Sequence, residues 1–253
     1  MILALLNLIL FGIGLVVLVP KNTWKKSLDE YKQIFSYHSV YLVLIIIVVM
    51  IHLLEVNIFD TITTNMIGYN FTPNFQLIED GVVHWFSQHW TSALVYFFVI
   101  IYIGLYPFML WFTLLYFIIV DEKKAMKTFA YSLIGIYAIA LPFYLFFPIT
   151  NVYNHYGTLS ALNMVIPTIE QFFYTTTTNN NCFPSLHVAV SLLLVKTVSL
   201  TNNKRFIYLA YFCAICVICS VIYLAIHWIT DVIGGILLTV GVFYIINHFM
   251  KET

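Results

Sequence analysis

The chain has 253 residues, of which 62% are apolar and 9% charged, with 11 Lys+Arg balancing 11 Asp+Glu. Soluble domains carry roughly 45–50% apolar and about 25% charged residues. A soluble globule, a disordered chain and a basic nucleic-acid binder are therefore excluded, and a polytopic membrane protein remains.

A membrane-crossing helix needs about 20 predominantly apolar residues. Taken in chain order, the sequence predicts such helices over 2–19, 37–54, 93–119, 128–147, 184–202, 206–226 and 229–249. No segment alternates with period two in the manner of a barrel strand. The expected fold is an all-α polytopic membrane bundle of about seven spans. It forms a single integral-membrane domain over 1–253, with 2–19 as an extra N-terminal helix and 37–249 as a six-helix core.

The first helix has no basic residue before it and Lys21, Lys25, Lys26 and Lys32 after it. That order is the reverse of a secretory signal, so the helix is expected to be retained with its N-terminus outside. The third helix exceeds one crossing and is expected to tilt or to bend at Pro107. Two long links are predicted on the outer side. The first, 55–92, is rich in Trp, Phe and His around Val83–Trp90 and fits an interfacial helix or a re-entrant lid. The second, 148–183, ends in the polar run Thr175–Asn181. Cys213, Cys216 and Cys219 lie in an apolar run and read as small packing residues, with Cys182 standing apart.

The positive-inside rule sets the orientation. Lys21, Lys25, Lys26, Lys32, Lys123, Lys124, Lys127, Lys204, Arg205 and Lys251 all fall on inner links or the cytoplasmic C-terminus. Lys196 can snorkel to the same side, which accounts for all 11 basic residues. The outer side then has no cation. It holds Glu55, Asp60, Glu79, Asp80, Glu170 and Asp231, with His52, His84, His89, His155, His187 and His227.

Two polar patches stand at the outer ends of otherwise apolar helices. One is Pro184-Ser185-Leu186-His187, the other Ser220 to Asp231 around His227. The fifth and sixth helices form a hairpin, which returns His187 and His227 to one depth. Pro184 is expected in the first turn of a helix, placing Ser185 and His187 at a helix N-terminus that attracts anions. His227 and Asp231 are four apart and would share a face of a continuing helix. The carboxylate then fixes the imidazole tautomer and leaves the other nitrogen as a nucleophile, while His187 can protonate a leaving oxygen. Ionisable residues at membrane depth are costly and mark function. His84 and His89 lack such geometry and read as interface residues.

Over residues 182–235 the sequence resembles the type-2 phosphatidic acid phosphatase superfamily of membrane lipid phosphatases and phosphotransferases. Pro184-Ser185-Leu186-His187 matches its PSxH motif. Ser220, His227 and Asp231 match its SRxxxxxHxxxD motif, with Gly234-Gly235 behind. The resemblance implies a phosphohistidine nucleophile at His227, a general acid at His187, an orienting Asp231 and a phosphate-binding Ser185. The arginine of the third motif is Val221 here. The first motif, KxxxxxxRP, is absent at the matching exit, Pro148 to His155. The FPSLH form and the missing arginine are similar to the inositol phosphorylceramide synthase branch.

A phosphate monoester brings up to about two charges, which a cation-free, carboxylate-rich site holds poorly. A phosphodiester brings one, which the helix end, Ser185, Asn151, Tyr153 and a protonated His155 or His187 are expected to hold. The sequence therefore points to a phospholipid or lipid-linked phosphate substrate and to head-group transfer to an alcohol. A lipid phosphate or isoprenyl diphosphate phosphatase, and an inactive lipid- or partner-binding relative, remain the alternatives. The chemistry requires no metal and no cofactor, and no nucleic-acid partner is expected.

Overall fold

The computed structural model describes residues 2–249. Among them the chain is helical, with one isolated bridge between Ile149 and Asn181 and no strand. The apolar helices are α1 (Ile2–Val17), α2 (Leu28–Ile67), α3 (Ser92–Val120), α4 (Lys123–Phe146), α5 (Leu186–Val198), α6 (Lys204–Tyr223) and α7 (Ile229–Phe249). They correspond in order to the predicted segments. All but α1 and α5 are long and apolar enough to cross a membrane, giving five such helices where about seven were expected. With 13 residues, α5 is about 20 Å long.

Two boundaries differ for identifiable reasons. α2 starts well before residue 37 because Ser27 and Glu30 form a reciprocal capping box. It then continues through a π turn, Glu55–Phe59, into the link that was expected to begin at 55. α3 carries a second π turn, Ile101–Leu105, directly ahead of Pro107. Proline lacks an N–H and crowds the carbonyl one turn back, and a locally widened turn relieves both.

α5 lies among α4, α6 and α7, while α2 packs on α4 and α1 packs on α3 and its π turn. Outward-facing apolar residues such as Trp111 (75% exposed) and Tyr208 (72%) form the surface that lipid covers. The two long links fold into short helices. Thr72–Glu79 rests on α7, and Val82–Gln88 rests on α6 and on Val152–His155. Ala161–Val165 and Ile169–Phe173 follow.

The bundle has two chemically distinct ends. At one, Lys26 Nζ donates to the last carbonyls of α3, Ile119 (3.1 Å) and Val120 (3.4 Å). There Asn203 Nδ2 also donates to Leu18 O, at the exit of α1, and to Tyr116 Oη. The links bearing Lys21–Lys32, Lys123–Lys127 and Lys204–Arg205 gather at this end; Lys251 lies outside the described residues. The starts of α3, α5 and α7 meet the ends of α2, α4 and α6 at the other.

Candidate functional site

At that second end, α6 stops at Tyr223 and the chain reverses through Ala225 at φ +57°. A left-handed alanine costs roughly 1–2 kcal/mol. Surrounding bonds hold it there: Ile226 N and His227 N both donate to Val221 O at 3.0 Å, and Tyr153 N donates to Ala225 O at 3.0 Å. His227 therefore lies in the loop before α7, not on a helix face shared with Asp231 as expected. The four-residue spacing acts through a cap instead. From the first turn of α7, Asp231 Oδ2 accepts from Trp228 N (2.9 Å) and lies 3.2 Å from His227 Nδ1. Both side chains are buried, Asp231 completely, and Asp231 Oδ1 has no partner.

His187 comes from the start of α5. Ser185 is the N-cap, its Oγ accepting from Val188 N at 3.4 Å, and Pro184 precedes the helix rather than sitting in its first turn. The Phe183–Pro184 peptide is cis. Two bonds fix this entry: Tyr144 Oη donates to Pro184 O (2.6 Å) and Ser185 N donates to Asp231 O (3.0 Å). The approach of α7 depends on Gly235, where a Cβ would lie 2.6 Å from Ser185 O.

The result is a line of four groups. Asp231 holds His227 Nδ1, His227 Nε2 faces His187 Nδ1 at 3.5 Å, and His187 Nε2 lies 2.9 Å from Tyr102 Oη. With its Nδ1–H given to the carboxylate, His227 presents a lone pair on Nε2. The line thus places a nucleophilic nitrogen beside a second imidazole able to carry a proton.

The other expected site residues are placed around this line, not in it. Ser185 is fully buried and committed to its cap. Asn151 caps Val152–His155 and donates to Tyr174 Oη. Tyr153 bonds Tyr174 and donates to Glu170 Oε1 (2.7 Å). His155 bonds Gln76 Oε1 (2.7 Å) and stands with its ring 5.7 Å from that of Trp228, the neighbour of His227. Burial, then the adjacent Tyr174, pushes the Tyr153 phenol well above its ordinary range, and burial lowers His155. Both effects favour the neutral forms, so burial works against the protonated His155 that was expected.

Two further residues escaped the sequence reading. Tyr102 looked like one more aromatic in an apolar run; the excess length of α3 and Pro107 were the signals of an irregular turn there. Glu79 carried no local signal. Its carboxylate, from the 55–92 link, accepts from Ile229 N (3.0 Å), Thr230 N (2.6 Å) and Thr230 Oγ1 (2.8 Å), filling the N-terminus of α7. Cys182, read as standing apart, has its sulfur within 4.8 Å of ligand atoms of His227 and Asp231. Burial, with Asp231 adding to it, raises its thiol well above the ordinary range and keeps it protonated.

A family model described as the PAP2 superfamily matches residues 76–245, a span that contains the whole line of four groups. No significant match was found among curated proteins or among solved structures.

Proposed function

This chain belongs to the PAP2 superfamily of phosphatase-type membrane lipid phosphoesterases, and from that premise we propose that it is a phosphotransferase working through a phosphohistidine at His227. His227 Nε2 attacks the phosphorus of a lipid phosphodiester, and the P–O bond to the lipid alcohol breaks. His187 Nδ1 delivers its proton to the departing oxygen. An alcohol acceptor then returns a proton to His187 as its oxygen attacks phosphorus and the N–P bond breaks. Asp231 holds His227 Nδ1–H throughout. Ser185 orders the start of α5, whose N–H groups and dipole face the phosphoryl oxygens.

The observation that carries the choice of a singly charged substrate is the neutral donor set at this end. Asn151, Tyr153, Tyr174 and Asn154 stand where a cationic clamp would, bonded to one another and to Glu170. Position 221 is a fully buried valine whose carbonyl is committed to the His227 loop. The N-terminus of α7 already holds a carboxylate. Placing a second negative charge here would cost more than placing one.

In this reading the site faces the extracytoplasmic or lumenal side, since the basic end faces the cytoplasm. In a Cys219→Ser background, an impermeant thiol reagent should modify Leu159→Cys in sealed vesicles of native orientation and spare Lys124→Cys; the reverse pattern would invert the topology. The chemistry is tested with a head-group-labelled diester. Acid-labile label should appear on the wild-type protein, be absent from His227→Ala and be chased by an alcohol. Free phosphate from a monoester, with no acceptor effect, would assign a phosphatase instead.

A further inference from the structure

The proposed chemistry leaves two buried groups beside His227 without a role. Asp231 spends Oδ2 on Trp228 N and His227 Nδ1, while its buried Oδ1 has no partner. Cys182, also buried, holds its sulfur within 4.8 Å of ligand atoms of both His227 and Asp231. We propose that Cys182, His227 and Asp231 form an inhibitory site for a thiophilic divalent cation of the zinc class. That occupation silences turnover rests on the reading of His227 as the nucleophile.

The donor set selects the metal. One thiolate, one imidazole and one carboxylate suit a tetrahedral zinc ion, with the fourth position left for water. Magnesium and calcium take shells of oxygen, and here a sulfur and a nitrogen stand in their place. Around a tetrahedral ion with bonds of about 2.0–2.3 Å, ligand atoms lie about 3.5 Å apart, so three atoms already within 4.8 Å need close by little more than about 1 Å. Charge closes as well. The thiol gives its proton to solvent as sulfur binds the ion. Thiolate and carboxylate then match the two charges of the cation, and the buried cluster is neutral, which is the condition for holding ions away from water.

Occupation removes the nucleophile through either ring nitrogen. A cation on Nε2 takes up the lone pair that would attack phosphorus. A cation on Nδ1 displaces the hydrogen held by Asp231, and the neutral imidazole then carries its hydrogen on Nε2. The hydrogen lost from Nδ1 is matched by the one gained at Nε2, so the only net proton released is that of the thiol.

Turnover of a lipid diester by chelator-treated full-length protein should fall at micromolar Zn2+ and return when a chelator is added. Cys182→Ser, whose hydroxyl can keep the contact to Ile226 O, should turn over like wild type without zinc. Loss of an outer partner of a zinc ligand alone weakens binding about 10- to 100-fold, so half-inhibition of Cys182→Ser should need at least about 10-fold more zinc. Mg2+ at the same concentration should leave both proteins unchanged. Equal zinc sensitivity of the two proteins, or equal inhibition by Mg2+, would overturn the proposal. The site is also read without turnover. Co2+ should give a thiolate charge-transfer band in wild type that Cys182→Ser lacks; a band of equal strength in both would place the ion at other cysteines. X-ray absorption of the zinc-loaded wild type needs no variant: one sulfur at about 2.3 Å among nitrogen and oxygen ligands is expected, and a shell without sulfur contradicts the site. Zinc bound through Cys182 with turnover intact would refute the inhibition. A wild type inert on every ester would sink the phosphotransfer reading instead, and the cobalt band would still decide the site.

Discussion

At the basic end of the bundle, cations meet the carbonyls that helices leave unpaired at their C-termini: Lys26 on Ile119 and Val120, with Lys123 3.5 Å from Asp121. At the histidine end the signs reverse and the partners change in kind. Glu79 and Asp231 are held by backbone N–H groups and a threonine, Glu55 by Asn181 and Tyr137, and Glu170 by Tyr153 and Asn163. Buried carboxylates need compensation, and here it comes from neutral dipoles together with two imidazoles, His52 3.5 Å from Glu55 and His227 3.2 Å from Asp231. Cations at the first end fasten helices. At the second, neutral donors fix geometry without adding positive charge, and on the proposed reading a phosphate arriving there would meet hydrogen bonds instead of counter-ions.

Substitutions at the two ends should therefore differ in kind. The largest effect is expected from His227→Ala, which should bring turnover to background, whereas Lys26→Ala should leave turnover within about twofold of wild type and cost about 0.3–1 kcal/mol of stability. Product formation by mass spectrometry beside a thermal melt separates the two. Next come the glycines of α7. Gly235→Ala drives a Cβ to 2.6 Å from Ser185 O and should destabilise by about 1–3 kcal/mol while lowering kcat. Gly241 has nothing within 4 Å of its would-be Cβ, and Gly241→Ala should raise Tm through helix propensity worth up to about 1 kcal/mol. The smallest effect is expected at Glu79. Glu79→Gln removes a negative charge from the start of α7, so KM for a phosphate monoester should fall about threefold, with a smaller change for a diester. Equal changes for both esters would show that charge at this end does not select the substrate.

The helical bundle was legible in composition alone, because apolar runs of membrane length have few alternatives. The meeting of His187, His227 and Asp231 was legible because ionisable residues at helix ends stand out from apolar surroundings. Their local geometry was not. The spacing of His227 and Asp231 fits a shared helix face equally well, and the left-handed Ala225 that makes it a capping contact leaves no mark in an alanine. Asn151, Tyr153 and His155 were placed by their position in the chain, and the fold spends their polar atoms on Tyr174, Glu170 and Gln76. Tyr102 and Glu79 reach the site across 85 and 150 residues of chain. Only tertiary packing brings such groups together, and no local pattern announces it.

The most direct test of the central claim is to incubate the purified protein with lipid monoesters, diphosphates and diesters, with and without an alcohol acceptor, and to follow every product by mass spectrometry. The account predicts a new acceptor-linked phospholipid formed from a diester and absent with His227→Ala. Free phosphate released from monoesters or diphosphates, at a rate indifferent to acceptor, would contradict it.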